Sequence, residues 1–109
     1  MRLSPLDPGM AALHVGVGTA HIVAGRCEEA HAAALRALGE SPGFASAQRL
    51  LVTSLGLMGR TAQAAEAARR LLELSPGFRV TRYLSVSPTR DDALRQRLAD
   101  ALRAAGVPD

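Results

Sequence analysis

The sequence predicts an all-α chain of helix hairpins stacked in a row, a helical solenoid of about six helices. The main observation is a repeated string: Ser-Pro-Gly-Phe occupies residues 41–44 and again residues 75–78. A degraded copy, Asp-Pro-Gly-Met, stands at 7–10, which is the same spacing. A period of about 34 residues is that of one type of helix–turn–helix repeat. The second observation is composition. Alanine and leucine carry the apolar content and aromatic residues are few, which favours closely packed helices over a sheet.

Glycine and proline recur along the chain, and their positions set the predicted helix boundaries. Gly25, Gly39 and Gly59 are expected to end helices, while Pro8, Pro42 and Pro76 are expected to open them after a capping Asp or Ser. Apolar residues at spacings of three and four mark the inward faces between these boundaries. The predicted helices occupy residues 8 or 10 to 24, 26–38, 42–58, 61–74, 76 to 84 or 86, and 89–106.

The last predicted helix departs from the repeat. Thr89 and Asp92 resemble a capping box, and Gly106 and Pro108 follow the helix. Its outer side is polar, as the end helix of a repeat stack requires. We therefore expect a single domain over 1–109, with repeats at 8–41 and 42–75, a partial repeat at 76–87 and an end helix at 89–106.

Residues 8–41 align with 42–75 without a gap, and the aligned pair resembles the tetratricopeptide repeat (TPR). The TPR pattern is W-x2-L-G-x2-Y, then A-x3-F, then P. The slots hold His14, Val17, Gly18, His21, Ala30, Ala34 and Pro42 in the first repeat, and Gln48, Leu51, Val52, Leu55, Ala64, Ala68 and Pro76 in the second. The resemblance implies a right-handed TPR-like solenoid that binds proteins and has no catalytic activity of its own.

A narrower resemblance covers almost the whole chain. The opening at 3–8, the Ala-Gly-Arg-Cys-Glu-Glu-Ala stretch at 24–30 and the ending at 91–108 are similar to the C-terminal TPR module of proteobacterial adenylate/guanylate cyclases. Similar modules follow winged-helix transcriptional regulators. The resemblance implies a regulatory bacterial signalling module in which any cyclase activity belongs to a parent protein, since no stretch here is similar to a cyclase catalytic domain.

In TPR arrays the first helix of each pair lines a concave groove that binds a protein or peptide. Carried over to this chain, the resemblance places Arg49 where it can bind a carboxylate and Tyr83 where it can stack on a ligand. An alternative interpretation makes both residues ordinary surface or packing residues. The full predicted groove set is Val15, Thr19, Ile22, Ser46, Arg49, Thr53, Val80 and Tyr83, with Ala12, Gly16 and Gly56 beside it.

No residue pattern predicts catalysis, a cofactor or a metal. The Gly16–Gly18 pair lacks the third glycine and the preceding strand of a dinucleotide-binding loop. His14 and His21 lie about 10 Å apart along one helix, which is too far for one metal ion, and we expect them to be half-buried packing residues. Cys27 is the single cysteine, and no base or pocket is apparent for it.

Two alternative functions are a nucleic-acid-associated basic domain and the homo-oligomerisation module of a winged-helix transcriptional regulator. Thirteen arginines and no lysine give a net charge of +3, but they are spread among ten acids, so we do not expect nucleic-acid binding. The weakly helical, apolar first helix allows a homodimer through its outer face, which is the second hypothesis. A single cysteine, a start without a long apolar stretch and the lack of a long apolar run predict a cytoplasmic protein that does not span a membrane.

Overall fold

The computed structural model describes residues 8–86 and 91–109, and these residues form helices without any strand. The all-α prediction is therefore confirmed for the described part of the chain. None of the helices described is both long and apolar enough to cross a membrane. The helices are α1 (Pro8–Val23), α2 (Cys27–Glu40), α3 (Ala45–Leu57), α4 (Thr61–Leu74), α5 (Val80–Val86) and α6 (Asp92–Ala104).

Two helix hairpins make up most of the molecule. Helix α1 packs on α2, α3 packs on α4, and α3 also contacts both helices of the first hairpin. Alanine fills the contact within each hairpin, because its small side chain lets helices approach closely. The buried alanines recur at the same period as the Ser-Pro-Gly-Phe string, as Ala30, Ala33 and Ala34 in α2 and Ala64, Ala67 and Ala68 in α4.

The two hairpin turns have the same backbone geometry, and glycine is required in both. Gly25 has φ +79° and Gly59 has φ +78°, the left-handed region that side chains with a Cβ rarely adopt. The following amides close the turns: Arg26 N–H donates to the carbonyl of His21 over 2.7 Å, and Arg60 N–H donates to that of Leu55 over 2.9 Å. This is the glycine-ended helix terminus expected from the sequence.

The predicted start of α3 at Pro42 is wrong, and so is that of α5 at Pro76. Helix α3 begins at Ala45 and α5 at Val80, because each Ser-Pro-Gly-Phe string forms a turn before the helix. In these turns the amide of Phe44 donates to the carbonyl of Ser41, and the amide of Phe78 donates to that of Ser75, both over 3.0 Å. We call residues 41–44 and 75–78 the first and second joints.

Two further helix ends differ from the predicted ones. Helix α2 continues through Gly39 to Glu40, since the amide of Ser41 still donates to the carbonyl of Ala37 over 2.9 Å. Helix α6 begins at Asp92, and its cap is Asp91, whose Oδ1 accepts a hydrogen bond from the amide of Leu94 over 3.1 Å. The predicted caps Asp7 and Thr89 lie outside the described residues.

Helix α6 packs against α3, α4 and α5 at the second hairpin, and it also contributes to an apolar cluster with α1 and α2. The two helices α6 and α3 are in close contact at Gly56, where a Cβ would stand 2.8 Å from the Cβ of Ala101. The residues after α6 hold this arrangement, because the carbonyl of Pro108 accepts a hydrogen bond from the amide of Val80 over 2.9 Å and Val107 is buried. The core around Val80 and Val107 is therefore shared between the second hairpin and the end of the chain.

Candidate functional site

The structure buries half of the predicted groove residues. Val15, Ile22, Thr53 and Val80 are each no more than 9% exposed. Val15 belongs to an apolar cluster of α1, α2 and α3, whereas Val80 belongs to a cluster that includes Leu102 of α6. As arranged here, these four side chains offer little surface to a partner.

Two of the remaining groove residues, Thr19 and Ser46, are half-buried. Thr19 donates its hydroxyl hydrogen to the carbonyl of Val15 over 2.9 Å, one turn back in its own helix. Ser46 is half-buried in the first turn of α3. That the eight predicted residues form a groove that binds a partner stays a prediction.

The last two predicted groove residues, Arg49 and Tyr83, lie in direct contact. The central guanidinium carbon of Arg49, on α3, lies 4.8 Å from the centre of the Tyr83 ring, on α5. The face of a tyrosine ring carries partial negative charge, so this cation–π contact holds the guanidinium in place. The Tyr83 ring in turn contacts the Phe78 ring of the second joint, with centroids 5.9 Å apart and planes tilted by 33°.

These residues form the wall of an open cavity of about 320 Å³, which we call the basic–aromatic pocket. Its side chains are Arg49, Phe78, Arg79, Arg82 and Tyr83, with Ser75 and Gly77 of the second joint beside them. Sequence reasoning predicted Arg49 and Tyr83 but missed Arg79 and Arg82. A signal for them was present, because the first joint is followed by Ala45 and Gln48 at the equivalent positions.

The pocket arginines differ from other arginines of the molecule in their electrostatic surroundings. Among the described residues, no Asp or Glu lines the pocket or forms an ion pair with Arg49, Arg79 or Arg82. Four other arginines do form ion pairs with carboxylates, namely Arg60, Arg69, Arg70 and Arg103. The hydrogen bond to Asp109 raises the pKa of Arg103. The pocket thus concentrates positive charge that the described chain does not neutralise.

A second surface feature is the outer side of α1. Large apolar side chains are exposed there: Leu13 by 57%, Val17 by 51% and Val23 by 60%. The helix contains no Asp, Glu or Arg, so this side has no charged residue of its own helix. We call it the α1 face, and its exposed residues are Ala12, Leu13, Gly16, Val17, Ala20 and Val23.

The repeat itself indicates what such a face packs against. The residues of α3 that lie one repeat period after Leu13, Gly16 and Ala20 are Ala47, Leu50 and Ser54. All three are at most 4% exposed. Leu50 packs into the cleft between α1 and α2, where its Cδ2 atom takes the space that a Cβ on Gly18 would occupy. The part of the α1 face around Leu13 and Gly16 therefore corresponds to a surface of α3 that packs against the first hairpin.

The remaining candidate residues form no site among the described residues. His14, His21 and His31 are half-buried, and Cys27 is half-buried with a free thiol. In the parts of the chain that the structure describes, no group of three His, Cys, Asp or Glu side chains could hold a metal ion.

Comparison with known proteins finds no matching family model, no similar curated protein and no similar solved structure. Function is therefore inferred from the molecule itself, from its internal repeat, the α1 face and the basic–aromatic pocket.

Proposed function

We propose that this chain is a non-catalytic protein–protein interaction module and that its main binding surface is the α1 face. The observation that carries the proposal is the burial difference between repeats: Leu13 is 57% exposed, whereas its equivalent Ala47 is fully buried. A contiguous apolar face left open on a folded chain is the usual mark of a protein interface. Its burial against an apolar partner is favourable by about 25 cal/mol per Å² removed from water.

The occupant that we propose is a second copy of the chain. Helix α6 already packs against the second hairpin, and among the described residues no large apolar side chain is exposed on α3, α4 or α6, so these helices offer a head-to-tail stack of copies no matching apolar face. Pairing of two α1 faces across a two-fold axis avoids this difficulty, because each copy contributes the same surface and the assembly closes at two. The lack of charge on α1 also removes any like-charge repulsion across that axis.

The pattern of side-chain sizes on the α1 face suits such a pair. Ala12, Gly16 and Ala20 form a row of small residues, and Leu13 and Val17 stand beside it. When two copies cross, the large side chains of one helix can fit over the small row of the other, which allows close helix packing. The interface would then resemble the packing of Leu50 over Gly18 inside the chain.

Charges on the α1 face are expected to abolish self-association. The Leu13→Glu/Val17→Glu double variant would place four carboxylates in the two-fold interface, and we expect the dimer dissociation constant to rise roughly 100-fold or more. Sedimentation equilibrium over a range of concentrations measures it. The matched control is Ala62→Glu, at an exposed position on α4, which should dimerise like the wild type. A wild-type chain that stays monomeric, or a double variant that dimerises equally well, would contradict the proposal.

We further propose that the module is of the TPR type, and that it serves as a regulatory region of a cyclase-like signalling protein or a winged-helix regulator. The recurrence of the turns, the joints and the buried alanines at one common period supports the TPR assignment. In such a parent protein the dimer would bring two attached domains together. An adenylate cyclase or DNA-binding domain encoded in the same reading frame would support this context, and an unrelated neighbouring domain would count against it.

A further inference from the structure

We propose that the basic–aromatic pocket binds a phosphate monoester. The pocket combines the guanidinium groups of Arg49, Arg79 and Arg82 with the rings of Phe78 and Tyr83 around one open cavity. This proposal is independent of the α1 face, since the pocket is built from α3, the second joint and α5.

The first joint serves as an internal control for the role of the arginines. Both joints make the same turn, with a hydrogen bond of 3.0 Å from the Phe amide to the Ser carbonyl. The residues one repeat period before Arg49, Arg79 and Arg82 are Val15, Ala45 and Gln48, none of which is charged. The joint therefore folds without a cation, and packing the turn does not account for the three arginines that line the pocket at the second joint.

The pocket arginines are also placed to receive a ligand. Arg49 is half-buried and held over the Tyr83 ring, while Arg79 and Arg82 are exposed at the rim. Arg79 uses one terminal nitrogen to donate to the carbonyl of Phe78 over 3.1 Å, which leaves its other donors available. Since no described carboxylate pairs with these groups, an anion that enters the pocket has no internal competitor there.

The number of cations favours phosphate over carboxylate. A carboxylate carries one charge and two oxygens, which a single guanidinium fork can satisfy. A phosphate monoester carries about −1.5 to −2 charges near neutral pH and three strong acceptor oxygens, a better match for three guanidiniums. The Phe78 and Tyr83 rings offer an apolar wall for the carbon atoms attached to the phosphate. The phosphate can belong to a small metabolite or to a phosphorylated side chain, which share this chemistry.

The chain contains its own reporter, because Tyr83 is its single tyrosine and it has no tryptophan. Intrinsic tyrosine fluorescence therefore reports on this pocket. The titrants are glycerol phosphate and a Gly-Ser-Gly peptide phosphorylated on its serine, at constant ionic strength. The unphosphorylated peptide and acetate serve as the neutral and carboxylate comparisons. We expect a saturable fluorescence change with the phosphorylated compounds, and the tighter of the two identifies the natural source.

The variants that test the pocket leave the reporter and its Arg49 neighbour in place. Arg82→Gln and Arg79→Gln each remove one guanidinium, and calorimetric titration should show binding weakened roughly 10- to 100-fold, as for the loss of a charge-assisted hydrogen bond. Arg69→Gln, which removes an arginine paired with Glu66 on α4, should bind like the wild type. Three results would overturn the proposal: no saturable response to phosphate, equal binding of acetate, or equal weakening by Arg69→Gln.

Discussion

Replacing Leu102 by alanine is expected to lower the free energy of unfolding by about 2–5 kcal/mol. Leu102 of α6 is fully buried in the cluster that also contains Leu71 of α4 and Val80 of α5. The truncation removes apolar contacts and leaves a cavity that the surrounding helices fill only in part. Because small domains have about 5–15 kcal/mol of stability in total, this is a large share.

Urea denaturation followed by circular dichroism measures the change for Leu102→Ala. The matched control is Leu35→Ala on α2, where the leucine is 51% exposed and the change should stay within about 0.5 kcal/mol. Equal losses for the two variants would show that α6 does not share the core of the second hairpin.

Replacing Gly56 by valine is expected to cost about 1–3 kcal/mol, because it inserts a branched side chain where α3 and α6 are in contact. The new Cβ would stand 2.8 Å from the Cβ of Ala101 and 3.2 Å from its carbonyl oxygen, so the backbone of α6 must move. A Cβ added at Gly39, within α2, would meet no atom within 4 Å. Gly39→Val should therefore change stability by no more than about 0.5 kcal/mol.

A double-variant cycle separates this steric contact from a general loss of stability. Ala101→Gly removes the nearest atom, so the penalty of Gly56→Val should fall by about 0.5 kcal/mol or more in its presence. Strictly additive effects of Gly56→Val and Ala101→Gly would place α6 elsewhere on the molecule.

Local sequence signals predicted the helices of this fold well, because those signals act within a few residues. Gly25 and Gly59 end their helices with positive φ, as expected of the one residue type that adopts it freely. The start of α3 was predicted wrongly because proline is acceptable both in a turn and in the first turn of a helix. The hydrogen bond from the amide of Phe44 to the carbonyl of Ser41 shows that Pro42 lies in a turn before the helix.

The candidate site was less predictable because it depends on packing between distant parts of the chain. Arg49 and Tyr83 were predicted separately, and only the placement of α5 beside α3 brings them within 4.8 Å. Thr53 was predicted on an open groove face, yet it is 3% exposed. Periodicity within a helix identifies a face but does not specify which other helix will cover it.

The most direct test of the proposed α1 pairing is a disulfide cross-link at the expected two-fold axis. Val17 lies near the middle of α1 on its exposed face, where the same residue of two paired copies would meet. In a chain whose Cys27 is changed to serine, Val17→Cys should form a covalent dimer under mild oxidation much faster than Ala62→Cys on α4. If the two cysteine variants cross-link equally slowly, the claim that the chain dimerises through the α1 face is contradicted.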